Sequence, residues 1–322
     1  LNLYRQLGPP GEQGIARVQL ELGFSAEAQS DYGEAAARYE QSLALYRELN
    51  DMPGISIALA SLGRIAWIKG DHEQATALYE QSLRLARETG NRHDIASRLR
   101  RLGNVTLQQR DYGRTETLYE EGLALARDLG DKHGIAALLN SLGEMARVQG
   151  DYQRAGEHYG ESLALFRELG SRVQIAMMLH NLGYVVLRQG DRRQAAAYFE
   201  ESLALYQAVK RRHGVTECLI GLAGVASVEG QLATAGRAAR LFGAAEGLFE
   251  ATGGGLAAAD QAEYDHYVAL ARDQLDQAAF AAAWAEGRAM TMEQAVAYAL
   301  AQEAPAARLE ERIGGLPLET GS

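Results

Sequence analysis

A forty-residue pattern recurs along this chain and limits it to one class of fold. Its clearest copy runs from Leu142-Gly143 through Gly150-Asp151-Tyr152, Ala155, Tyr159 and Ser162-Leu163-Ala164-Leu165 to Leu169-Gly170. Forty residues earlier the same skeleton reads Leu102-Gly103, Arg110-Asp111-Tyr112, Tyr119, Leu123-Ala124-Leu125 and Leu129-Gly130. Further copies start at Leu22-Gly23, Leu62-Gly63 and Leu182-Gly183, and a fading one at Leu222-Ala223. A fixed period of this size predicts a solenoid in which each unit buries its apolar face on its neighbours.

Each unit reads as two helices. In the second unit Ile55, Ala58, Leu59, Leu62, Ile65 and Ala66 recur at three- and four-residue spacing, which predicts one apolar stripe on a first helix of roughly 52–69. Gly70 is expected to stop it, because glycine accepts the left-handed conformation at a helix end. Asp71 is expected to cap the next helix with its carboxylate, and Gln74 to complete a capping box. That second helix carries Ala75, Leu78, Tyr79, Ser82, Leu83 and Leu85 and ends near Gly90. Gly63, Gly103, Gly143 and Gly183 fall inside first helices, where glycine costs about 1 kcal/mol against alanine. Close approach by a partner helix is the expected compensation, with Tyr79, Tyr119, Tyr159 and Phe199 filling the space between successive units.

The spacing resembles the tetratricopeptide repeat family in its Leu-Gly pair, then Ala, an aromatic four later and a small residue three beyond, as in Leu62-Gly63, Ala75, Tyr79 and Ser82. The forty-residue period exceeds the usual 34 of that family, so both helices must be extended. The helix-ending proline is absent, and Arg87 or Arg127 stands in its place. The resemblance covers roughly 1–250. It implies an all-α, right-handed superhelix, an α-solenoid of about six helix-turn-helix repeats with a C-terminal helical cap. It also implies a binding scaffold rather than a catalyst.

Composition narrows the functional classes. The net charge of −10 argues against direct binding of nucleic acid or of an anionic membrane. Cys218 is the only cysteine, so no disulfide framework or thiolate metal cluster can form, and a reducing cytoplasm fits. No apolar run is long enough to span a bilayer. The opening residues Leu1-Asn2-Leu3-Tyr4-Arg5-Gln6-Leu7-Gly8 parallel Leu163 to Gly170. They are expected to be the last turns of a preceding repeat, in a protein that continues toward the N-terminus.

Beyond Leu222 the pattern decays, and the expected organisation is a repeat array over 1–252, a helical cap over 253–303 and a disordered tail over 304–322. Gly253-Gly254-Gly255 should break the chain, Asp260 to Glu263 should cap a helix containing Tyr264 and Tyr267, and Thr291 to Gln294 should form a second capping box. A further helix holds Phe280 and Trp284. The stretches Ala239-Arg240-Leu241-Phe242-Gly243-Ala244-Ala245-Glu246, Phe280-Ala281-Ala282-Ala283-Trp284-Ala285-Glu286-Gly287-Arg288 and Met292-Glu293-Gln294-Ala295-Val296 resemble the end of bacterial signal-transduction NTPases of the STAND class. That resemblance implies a ligand-sensing region whose switch and effector domains lie upstream in the same chain.

No chemistry beyond binding is indicated. None of the three lysines, Lys69, Lys132 and Lys210, is followed by Ser or Thr as a phosphate-binding loop requires. Gly253–Gly255 lacks a following cation and reads as a turn. His93, His133 and His213 occupy equivalent places in different repeats, too far apart to share a metal, and read as surface or capping residues. Cys218 reads as a small buried hydrophobe. Carboxylates follow solvated faces, as in Glu80, Glu120-Glu121 and Glu200-Glu201. No cofactor or metal is implied, and the chain is not expected to be an enzyme. The sole acid–base candidate is Glu144 beside Arg147 and His180, which a polar lining explains better.

A ligand would be read by the positions that vary inside the repeat. In the resembled family first helices line a concave groove. Here that face carries Arg64, Trp67, Arg100, Arg101, Asn104, Asn140, Glu144, Arg147, His180, Asn181 and Tyr184, spaced one helical turn apart and centred on 100–184. Arg and Asn can pair with the carboxylates and backbone of a peptide, and Trp or Tyr can anchor a side chain. The expected partner is a peptide or protein segment, sensed on behalf of upstream domains. The alternative is a stand-alone adaptor that assembles a complex.

Overall fold

The computed structural model describes residues 9–252, 255–256 and 258–301. Among them regular structure is entirely helical. The first helices of the hairpins are α1 (Pro9–Ala28), α3 (Met52–Ile68), α5 (Arg92–Gln108), α7 (Lys132–Val148), α9 (Arg172–Arg188) and α11 (Arg212–Ser227). The second helices are α2 (Tyr32–Glu48), α4 (His72–Glu88), α6 (Tyr112–Leu129), α8 (Tyr152–Glu168), α10 (Arg192–Ala208) and α12 (Leu232–Thr252). Three more helices follow: α13 (Ala258–Asp273), α14 (Gln277–Arg288) and α15 (Met292–Leu300). This is the α-solenoid of helical hairpins that the period predicts. The chain forms two compact units, divided between Gln189 and Gly190. The expected tail over 304–322, the parallel at residues 1–8 and the break at Gly253-Gly254 lie outside the described residues.

Local chemistry sets the hairpins. Asp31, Asp51, Asp71, Asp111, Asp131, Asp151 and Asp191 each accept the backbone N–H three residues on, and Asn91 does the same. Each bond satisfies a donor that the helix itself leaves free. The expected Asp71–Gln74 capping box is only half formed. The Asp71 carboxylate accepts from Gln74 N at 2.9 Å, but the Asp71 N–H is already donated to the carbonyl of Ala66. The box at Thr291–Gln294 forms in both directions. Asp260 does not stand at the N-cap: its helix starts at Ala258, which places Asp260 inside the first turn, where it is buried.

The stops between paired helices take left-handed backbone. Gly70 sits at φ +79° and Gly150 at φ +81°, while Arg110 adopts φ of 61° at the same point of its repeat; Lys210, at φ 55°, takes the place that Gly90 and Gly130 hold after second helices. Inside each of the first four hairpins the glycine of the first helix accepts an aromatic ring from the second helix. A methyl placed on Gly63 would lie 3.1 Å from the Tyr79 ring, and one on Gly103 would overlap Tyr119. The rings are buried, and with the leucines they form successive apolar layers. The small residue three positions later binds back across the hairpin. Ser42 Oγ donates to the Ala16 carbonyl at 2.8 Å, and Ser162 Oγ to the Ala136 carbonyl at 2.8 Å.

In the second unit α12 and α14 cross at glycine. A methyl on Gly243 would run into the Trp284 carbonyl, and one on Gly287 into the Arg240 carbonyl. Trp284 Nε1 donates to Glu246 at 2.6 Å, and Arg288 donates to Glu250 at 2.6 Å. No described helix is long and apolar enough to cross a membrane.

Candidate functional site

First helices of the first unit place the expected groove residues on one another's flanks, and they divide into an accessible half and a closed half. Arg64, Arg100, Arg101, Asn104, Asn140 and Glu144 are half-buried, and Trp67 is 37% exposed. Arg147, His180, Asn181 and Tyr184 are buried, at 5%, 4%, 7% and 0% exposure. Of the expected face the accessible part runs over 64–144, and the end at 147–184 is buried. The closure has a packing cause. The Arg147 guanidinium lies 5.8 Å over the Tyr184 ring, and His180 meets the same ring edge-on at 5.0 Å. These side chains fill the space between α7 and α9. His180 and Arg147 are thus both buried against the Tyr184 ring.

Polar contacts run from helix to helix along the accessible half. Tyr119 donates its hydroxyl to Asn104 Oδ1 at 2.8 Å, and Ser141 Oγ reaches the same oxygen at 3.4 Å. Asn181 Nδ2 donates to Asn140 Oδ1 at 3.2 Å. Arg64 pairs with Glu27, reaches the Tyr39 hydroxyl at 3.4 Å and lies 5.9 Å over the Phe24 ring. Burial pushes the Tyr119 phenol well above its ordinary range, with the Glu144 charge adding to the shift. Burial lowers the Arg64 guanidinium, and the neighbouring Arg101 charge lowers it further.

A cavity of about 310 Å³ opens between α5 and α7. His93, Ser97, Arg100 and Arg101 line it from α5, and Asp131 and His133 from the start of α7. The sequence places Arg100 and Arg101 on this face, but it gives no sign of the cavity. Its histidines and Ser97 lie outside the columns that flank the Leu-Gly pair. The Tyr79 and Tyr119 hydroxyls were also missed, because their rings read as core. Neither histidine has a metal-binding environment: His93 Nδ1 lies 3.6 Å from Asp131, and His133 meets the Phe166 ring at 5.8 Å. Among the described residues no three His, Cys, Asp or Glu side chains are grouped to hold a metal ion. Cys218 is fully buried, with its thiol 3.2 Å from Ser202 Oγ and its pKa pushed up to about 12 by burial.

A tetratricopeptide repeat model matches residues 14–88, 55–128, 94–168 and 134–208, which together span more than half of the sequence. Among solved structures, BtubC from P. vanneervenii is 22% identical, with a TM-score of 0.56 over 65% of this chain and 88% of that one. A Rap protein complexed with Competence and Sporulation Factor is 13% identical, with a TM-score of 0.61 over 85% of this chain and 76% of its own. The Rap conjugation gene regulator of plasmid pLS20, in complex with the Phr* peptide, is 12% identical, with a TM-score of 0.58 over 80% and 73%. At these identities the likeness is one of fold. No curated protein matches the chain.

Proposed function

The chain belongs to the tetratricopeptide repeat family, and on that footing we propose that it is a non-catalytic module that binds a peptide or protein segment through the first-helix face of its first unit. The observation that carries this reading is the accessible strip of Arg64, Trp67, Arg100, Asn104 and Asn140, with an open cavity between α5 and α7 at its middle. Such a strip offers paired donors and acceptors for a backbone, charges for carboxylates and one exposed indole as an anchor. The Rap structures of similar fold hold a peptide or a peptide factor. That supports the class of ligand by analogy of fold and not its identity.

The module is further proposed to be the sensing region of a larger STAND-type signalling NTPase in the cytoplasm. Support comes from the stretches at 239–246 and 280–288 that carry the resemblance: they pack on one another through Gly243 and Gly287, so they act as one structural element. Binding would bias a switch in domains of the same chain, and a nearly complete switch needs about 5.5 kcal/mol of differential affinity.

Two experiments test the reading. A pull-down with the chain should capture a partner segment that the double variant Arg64→Ala/Asn140→Ala fails to retain; equal capture by both removes the face from the account. The gene that encodes this chain should carry a nucleotide-binding domain upstream; without one, the adaptor reading replaces the sensor.

A further inference from the structure

The arginines of the first unit are not treated alike. Arg98 is buried, with Nε on Ser82 Oγ at 2.9 Å and Nη2 on Asp94 at 3.1 Å. Arg92 meets Asp128 at 2.9 Å, Arg87 meets Glu121 at 2.6 Å and Arg114 meets Glu80 at 2.6 Å. Arg64 has Glu27. Other arginines of the unit, such as Arg84 and Arg127, are exposed to water; Arg100 and Arg101 belong to neither group. They are adjacent, both half-buried, and neither forms an ion pair among the described residues. Arg101 reaches only the neutral Tyr79 phenol, and its Nε is buried without a partner. Burial lowers the pKa of the Arg100 guanidinium, and Arg101 beside it lowers it further.

Two guanidinium groups withdrawn from water side by side, without a counter-ion, are costly to the fold. The arrangement persists beside a cavity that both groups line. The carboxylate that lines the same cavity, Asp131, is already committed: it accepts the Gly134 N–H at 2.9 Å and faces His93. We infer that Arg100 and Arg101 are the seat for a carboxylate of the bound segment, so that the first unit selects acidic peptides. This rests on the groove reading above and adds the chemistry of the ligand. The planar forks of two arginines match the paired oxygens of a carboxylate and require no rearrangement of the backbone. The chain as a whole carries −10, so an acidic ligand approaches against the overall field. Attraction must then come from this local pair, and selectivity follows from it.

The same geometry makes an unusual demand on the free protein. Removing one charge while keeping an apolar stem should leave the unliganded fold as stable as before, or more so, while binding is lost. Arg100→Met meets that condition. The probes are acetyl-hexaglutamate amide, its hexaglutamine counterpart and inorganic phosphate, each titrated into the full chain at low salt. An array of acidic, neutral and basic peptides is read in parallel. Hexaglutamate is expected to bind about tenfold or more tightly than hexaglutamine. Arg100→Met should abolish that preference without lowering the melting temperature, and Arg114→Met, an exposed and paired arginine on α6, should retain it. A preference that survives Arg100→Met overturns the inference, as does a fall in melting temperature with binding intact. A phosphate response equal to that of hexaglutamate, and equally dependent on Arg100, assigns the seat to a phosphoryl group and overturns the carboxylate. Array binding confined to neutral or basic peptides overturns the inference while the groove reading stands. Array silence across all three classes overturns both.

Discussion

The ring of Tyr159 on α8 lies flat against the backbone of Gly143 on α7, so close that a methyl on the glycine would stand 2.7 Å from Cδ1. This contact joins the two helices of a hairpin and explains why a first helix tolerates glycine at its centre. Gly143→Ala should destabilise the first unit by about 1–3 kcal/mol through overpacking, and Tyr159→Ala by about 3–5 through a cavity. Because the methyl and the ring compete for one space, the double variant should cost less than the sum of the two. Urea denaturation of the four proteins measures the coupling.

Arg110 holds φ of 61° where Gly70 and Gly150 hold +79° and +81°. A side chain in that conformation carries a steric cost that glycine does not. Arg110→Gly is therefore expected to stabilise the first unit by about 1 kcal/mol, read as a higher denaturation midpoint. Gly150→Arg should lower it by a similar amount.

Gly122 stands where its counterparts are Ser42, Ser82 and Ser162. Those serines donate to a first-helix carbonyl twenty-six residues back, and a methyl on Gly122 would lie 3.4 Å from the equivalent carbonyl of Ala96. Gly122→Ser should regain that hydrogen bond, for about 1 kcal/mol, together with part of the helix propensity. The nearest obstacle is the Leu138 side chain, 3.1 Å away at its mobile end. Thermal denaturation should show a rise; Gly122→Ala, which adds bulk but no donor, should show a smaller one.

Alkali should unfold the chain early. Burial, helped by the Glu21 charge, pushes the Tyr39 phenol up to about 12, and burial with Glu246 pushes Tyr264 up to about 12. A phenol with a raised folded pKa holds its proton longer in the folded state. Its contribution is whole below pH 10, the unfolded value, and is lost as pH climbs toward 12. Stability should fall over that interval, and Tyr39→Phe should make the fall shallower by up to about 1.4 kcal/mol per pH unit. Denaturation midpoints measured between pH 9 and 12 decide it.

What could be read from the residues alone was whatever is decided locally. Gly70 and Asp71 stop and start helices within one turn, so their roles follow from their order. The Gln74 half of the capping box failed because the Asp71 N–H had already been taken by the Ala66 carbonyl, a partner in the preceding helix. Columns of equivalent positions located the first-helix face, yet they could not show that it closes at Tyr184. That closure depends on Arg147 leaning across from the neighbouring helix onto the Tyr184 ring. The unpaired state of Arg100 and Arg101 was equally hidden. Polar letters in a column look the same whether or not a carboxylate stands opposite.

The first-helix face of the first unit is the proposed seat of the ligand. Cys218 is buried and its thiol unreactive, so single cysteines introduced elsewhere can be labelled cleanly. Maleimide labelling of Ser97→Cys and Ala137→Cys, which line the cavity between α5 and α7, should be compared with Ala77→Cys on α4 and Ala124→Cys on α6, both exposed. With the tightest peptide from the array bound, labelling at positions 97 and 137 is predicted to slow at least about tenfold in step with site occupancy, while 77 and 124 stay unchanged. Protection at 77 and 124, with 97 and 137 still open to the reagent, would contradict the account.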